Sequence, residues 1–139
     1  MKKILRYTSL FTILICFGCP AAQESYPVKE ITYEAMTRGQ FETIHVKSNI
    51  MSYKTRTTSK EIELSSKQLK ALYKVLKPVK YTEVSSLKAP SGKRLYDGAM
   101  AAVVIFKTET ETYQSASFDD DNPPNELKDL VTLLKSFVQ

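Results

Sequence analysis

Gly98-Ala99-Met100-Ala101-Ala102-Val103-Val104-Ile105-Phe106 is the stretch that decides the fold. It is the only long uninterrupted apolar run outside the N-terminus. As a helix it is too short to span a bilayer. Its Val-Val-Ile-Phe end is β-branched and aromatic, which favours a strand. With no polar alternation, the run predicts a central strand covered by other elements.

Forward of this strand, Lys107 to Glu111 reads as a polar hairpin turn and Thr112 to Phe118 as the returning strand. Asp119-Asp120-Asp121-Asn122 then opens a last helix. Asn122 suits the cap, Pro123 the first helical position, and the acids the positive N-terminal end. Leu127, Leu130, Val131, Leu134 and Phe137/Val138 form its apolar face.

Behind the strand, Val79 to Tyr96 is irregular. Thr82 is placed to cap one turn carrying Val84 and Leu87, and Ala89-Pro90-Ser91-Gly92 is a turn cluster. Before it lies the best-signalled helix. Ser65 and Gln68 make a capping box, and Leu64 and Leu69 sit where a hydrophobic staple puts them. Leu69, Leu72, Tyr73 and Leu76 make one stripe, and Pro78 stops the helix.

Four short strands precede that helix. Ile31, Tyr33 and Ala35 alternate with polar residues, and Thr37-Arg38-Gly39-Gln40 is a turn with Gly39 free to take a positive φ. In Phe41–Lys47 the apolar face is Ile44 and Val46. Phe41 is out of phase with them, which predicts a bulge near Glu42. Ser48-Asn49 reads as a tight turn with Asn49 tolerating left-handed geometry. Ile50–Thr57 and Glu61–Leu64 follow. The expectation is an α+β two-layer sandwich: a mainly antiparallel sheet of about six strands, two helices on one face, order ββββαββα. Thr43, His45, Lys54 and Arg56 then fall on the other face.

The N-terminus is a targeting segment. Lys2, Lys3 and Arg6 form a positive n-region, Thr8–Phe17 an apolar h-region, and Gly18-Cys19 follows at once. This resembles a bacterial lipoprotein signal, with Cys16 at the position three before Cys19 where Leu is usual and Leu14 two residues further back, in the looser form similar to Bacteroidota lipoproteins. The resemblance implies cleavage before Cys19 and acylation of its sulfur and amine, palmitate among the chains. The alternative is cleavage near Ala21-Ala22. The division is thus signal peptide 1–18, tether 19–28 and one domain 29–139.

Removing residues 1–18 from 139 leaves 121, enough for one core. Lys+Arg falls from 20 to 17 against 15 acids, a net charge of +2 rather than +5, which removes most of the case for nucleic acid. Only Cys16 and Cys19 exist, so the domain holds no disulfide, thiol nucleophile or cysteine metal ligand.

Charge is uneven. Twelve basic residues and three acids lie between Lys47 and Arg94, and eight acids and three lysines from Asp97 onward. The basic stretch reads as a solvated helix face, or as a face for anionic lipid.

Few patterns carry chemistry. His45 is the only histidine and no G-x-S-x-G marks a serine, so it reads as a cross-strand residue. Asp119, Asp120 and Asp121 are weak metal candidates, being consecutive and without the alternation of a calcium loop. Asp97 with Asp119 is a candidate carboxylate pair for hydrolysis. No cofactor is expected.

Ser91, Gly92, Lys93, Arg94, Tyr96 and Asp97 form a candidate binding loop. It is similar to the S-G-x-x-Y loop that small periplasmic lysozyme inhibitors insert into the enzyme cleft, with Tyr96 one residue late. Thr37–Phe41, Ala89–Gly92 and Phe118–Pro124 resemble small uncharacterised exported lipoproteins of Bacteroidota, which implies a compartment and no activity. The expectation is a lipid-anchored, non-enzymatic binding or accessory protein of the cell envelope, periplasmic or at the cell surface, with an envelope protein partner. An inhibitor of a wall-degrading enzyme and a carboxylate hydrolase are the alternatives.

Overall fold

The structure is a computed structural model that describes residues 26–139. The expected signal peptide 1–18, the expected lipidation residue Cys19 and the expected tether as far as residue 25 lie outside the described residues. Strands β1 (Glu30–Thr37), β2 (Gln40–Lys47), β3 (Ile50–Thr55) and β4 (Ser59–Glu63) lead into helix α1 (Ser66–Leu76). Two 3-10 turns, Tyr81–Ser86 and Lys93–Tyr96, precede β5 (Ala101–Lys107), β6 (Thr112–Gln114), β7 (Phe118–Asp119) and helix α2 (Asn125–Ser136). All pairings are antiparallel, in the order β4-β3-β2-β1-β5-β6, and β7 pairs with the start of β5. This is the expected α+β sandwich with its expected element order.

One sheet face carries the core. Ile31, Tyr33 and Ala35 of β1, Ile44 and Val46 of β2, Met51 of β3 and Ala102, Val104 and Phe106 of β5 are all buried, together with Leu72 and Leu76 of α1 and Leu127, Leu130, Val131 and Leu134 of α2. The burial of β5 alternates, so Ala101, Val103 and Ile105 on its other face are only half covered. The apolar run is therefore covered on one face, not two.

The capping box at Ser65 and Gln68 forms as expected. Other local expectations are corrected. No bulge interrupts β2, whose register with β1 runs unbroken from Thr37↔Gln40 to Glu30↔Lys47. Phe41 is out of phase because it belongs to the open face, opposite Met36. Gly39 takes φ +81 as expected, but in the next turn Ser48, not Asn49, is left-handed, at φ +55.

Thr82 lies inside its 3-10 turn, which has no side-chain cap. Helix α2 starts after both prolines, so Asn122 does not cap it. The returning strand breaks at Ser115, whose hydroxyl accepts the Val104 amide at 3.0 Å in place of a backbone carbonyl. At the other end, Val28 is buried and Tyr26 stacks on Tyr73 with ring centroids 5.4 Å apart, so packing begins within the segment read as tether.

Candidate functional site: a loop pinned on Asp119

β7 is two residues long, and it carries a carboxylate into the protein. Asp119 is fully buried. Its side chain accepts four hydrogen bonds from the 91–94 segment. Ser91 Oγ (2.6 Å) and the Lys93 amide (2.8 Å) reach Oδ2, and the Arg94 amide (3.0 Å) and Arg94 guanidinium (3.1 Å) reach Oδ1. Burial pushes the Asp119 carboxyl up. The bonds from Ser91, the two backbone amides and the Arg94 side chain outweigh it and hold the group well below the usual carboxylate range. A buried, ionised acid with both oxygens occupied is an anchor.

Its neighbours complete the clamp. The Asn122 side-chain amide donates to Ser91 Oγ at 2.9 Å, and Lys93 Nζ to Asp121 at 2.8 Å. Arg94 also donates to the Ser91 carbonyl at 2.7 Å, turning the chain back on itself. The 3-10 turn closes with Gly98 N–H donating to the Lys93 carbonyl at 2.9 Å, after Asp97 takes φ +60. A Cβ on Gly98 would stand 2.9 Å from the exposed Tyr96 ring and 3.2 Å from the Lys93 carbonyl, so a larger residue there must displace Tyr96 and crowds the closing bond.

The clamp displays two apolar side chains. Leu95 is 81% and Tyr96 74% exposed. Met36 and Phe41, also exposed, are cross-strand partners at the same end of the sheet, where Met36 pairs with Ala101 of β5. Arg38, in the turn between them, lies 3.7 Å from Asp97. Among the described residues, four of the six exposed large hydrophobic residues thus lie at one end of the molecule.

Ser91, Gly92, Lys93, Arg94, Tyr96 and Asp97, the residues of the expected binding loop, lie in one turn held by Asp119 and closed by the Gly98–Lys93 hydrogen bond. Leu95, Met36 and Phe41 were missed. Leu95 sits between Arg94 and Tyr96, where the pattern reads as a lead-in to the strand. Met36 and Phe41 become neighbours only through the β1–β2 register.

The three consecutive acids diverge. Asp119 faces Ser91, Lys93 and Arg94, while Asp120 accepts the Met100 amide at 2.9 Å and lies 3.7 Å from Lys135. Asp121 pairs with Lys93. Among the described residues no group of three or more His, Cys, Asp or Glu is placed to hold a metal ion. Asp97, exposed beside Arg38, and Asp119, buried under the loop, share no cavity lining among those seen at the surface.

His45 is a cross-strand residue on the open face. Its Nδ1 is 2.9 Å from Thr32 Oγ1, and its Nε2 is 3.8 Å from Glu30. Glu30 is already held by Lys47 at 3.0 Å and Lys107 at 3.5 Å, and these bonds and charges lower its carboxyl.

Among the described residues no helix is long and apolar enough to cross a membrane. In comparisons with known proteins, the chain matches no family model, no curated protein and no solved structure.

Proposed function

We propose that this chain is a lipid-anchored, non-enzymatic binding protein of the bacterial cell envelope, which holds a protein partner through the 91–97 loop. The observation that carries this reading is the exposure of Leu95 and Tyr96 on a turn fixed from beneath by Asp119. A rigid loop with aromatic and aliphatic side chains at its tip loses little conformational entropy on docking. Basic and acidic side chains beside it (Arg38, Asp97, Lys93) supply a polar rim. The anchor itself follows from Gly18-Cys19 behind an apolar block. Cys19→Ser is expected to release the protein from membranes, and an unprocessed chain that stays bound would end the lipoprotein reading.

Two observations weigh against a hydrolase. Asp119 has no free oxygen and stays ionised, so it serves neither as general acid nor as nucleophile. Asp97 sits on an open surface beside Arg38, with nothing to exclude water. Inhibition of a wall-degrading enzyme is the more specific form of the proposal, supported by the exposure of Leu95 and Tyr96 on the pinned turn.

The test is site-specific photo-cross-linking in the envelope. A cross-linker at position 96 is expected to capture one protein, and Leu95→Ala in the same chain is expected to abolish that capture. Equal capture from position 54 on the open sheet face would sink the loop as the contact. If the captured protein cleaves peptidoglycan, inhibition of its activity by the purified chain decides the narrower reading.

A further inference from the structure

Helix α1 has a face of one charge sign. Lys67, Lys70 and Lys74, with Lys77 at the C-terminal cap, are all exposed, and the helix contains no acid. At about 100° per residue, spacings of three, four and three confine these lysines to an arc of roughly 80°. That arc lies opposite the buried Leu72 and Leu76. Among the described residues none of the four forms an ion pair, whereas Lys29, Lys47, Lys80, Lys93, Lys107 and Lys135 all do. Helix α2 is balanced instead, with Glu126 and Asp129 offsetting Lys128 and Lys135.

The chain enters the fold against this same helix. Val28 is buried, and the Tyr26 ring stacks on Tyr73 of α1 with centroids 5.4 Å apart. Tyr73 itself is 43% exposed. Cys19 is seven residues upstream of Tyr26, a span of about 25 Å at full extension. We propose that the lysine face of α1 lies on the anionic headgroups of the membrane that holds the anchor.

The choice of occupant rests on the anchor reading. An acyl anchor at Cys19 keeps α1 within reach of the bilayer, so a soluble partner would have to compete with lipid for this face. Tethering also removes the need for tight binding, because the face is already at high effective concentration. Each lysine at an anionic surface favours the docked orientation about fivefold, and an ammonium without a protein partner gives up nothing on docking. The two tyrosine rings suit the headgroup level, where one side is apolar and the other wet. Docking here leaves the Leu95 and Tyr96 loop clear of lipid. It lies at the Met36 and Ala101 end of the sheet, on the order of 20 Å along β1 from the chain entry.

The chain from residue 19 has a single cysteine, so coupling Cys19 to a maleimide-bearing lipid supplies the tether independently of acylation in cells. The test compares the rate of amine acylation at each lysine, read by mass spectrometry, on two kinds of vesicle. One is equal parts phosphatidylglycerol and phosphatidylcholine, and the other is phosphatidylcholine alone. Lys67, Lys70, Lys74 and Lys77 are expected to react about threefold or more slowly on the anionic vesicles, with Lys54 on the open sheet face unchanged. Molar salt is expected to erase the difference. Lys70→Glu with Lys74→Glu, both at exposed positions, is expected to remove the slowing at Lys67 and Lys77, and Lys54→Glu to leave it. Equal rates on the two lipids, or slowing at Lys54 equal to that on α1, overturns the proposal. So does greater slowing by an added DNA duplex than by phosphatidylglycerol. Membrane retention of an unprocessed Cys19→Ser chain in cells would sink the anchor reading and leave the vesicle rates standing.

Discussion

The meander β1–β4 and the segment 79–98 are built on opposite principles. In the meander each residue's place follows from its neighbours two positions away and from the strand it faces, and the unbroken register β1↔β2↔β3↔β4 is the result. The segment 79–98 has two short 3-10 turns and no ladder of its own. Its first half packs on the sheet through Val79, Tyr81 and Val84, and its 91–94 stretch is shaped by a carboxylate 25 to 28 residues further along the chain. Order without secondary structure needs remote partners, and for the 91–94 stretch that partner is the Asp119 side chain.

The contrast is breakable. Ile44→Ala removes a fully buried side chain from the meander and is expected to cost about 4 kcal/mol in global stability, read by urea unfolding. Hydrogen exchange should then quicken across the whole domain together. Asp119→Ala is expected to cost about 3 kcal/mol, because it strands two backbone amides and the Arg94 guanidinium. Its exchange signature is different: the Lys93, Arg94 and Gly98 amides lose protection first while β1 and β2 keep theirs. Uniform loss in Asp119→Ala would show that the loop and meander are one cooperative unit after all.

Acid sharpens the same point. The Asp119 carboxyl is held low in the folded state, so its stabilisation is complete above the ordinary aspartate value of about 4. It declines as pH falls from there toward the folded-state value, because the unfolded chain binds its proton first. Asp119→Asn is expected to flatten the loss of stability between pH 4 and pH 2, and an unchanged slope would remove Asp119 from the account.

Smaller effects separate local signals from remote ones. Ser65→Ala removes the α1 cap, at an expected cost of about 1 kcal/mol in thermal unfolding. Ser48→Gly relieves a left-handed residue in the β2–β3 turn and is expected to add about 0.5 kcal/mol.

What the sequence made legible divides along the same line. The Ser65–Gln68 box and the Gly39 turn rest on contacts within a few residues and stand in the structure; of the expected α1 stripe Leu69, Leu72, Tyr73 and Leu76, Leu72 and Leu76 are buried while Tyr73 is exposed, and the apolar face of α2 buries Leu127, Leu130, Val131 and Leu134. Phe41 misled because period alone does not say that a second apolar residue belongs to the opposite face. Asn122 misled because a good capping residue was taken up by Ser91, 31 residues away. The 91–97 loop was visible as a turn cluster with an aromatic, whereas the role of Asp119 was not. Three consecutive aspartates read alike, and only the fold places one beneath the loop, one against β5 and one at the surface.

One strand has a further consequence. β4 is the free edge of the sheet, and it reads Ser-Lys-Glu-Ile-Glu. An open edge is a template for any extended chain. Charges at Lys60, Glu61 and Glu63 make edge-to-edge pairing of two such chains costly. At the opposite edge β6 offers only three residues before Ser115 interrupts the ladder. With no disulfide to restrain the domain, resistance to aggregation is written into its two margins.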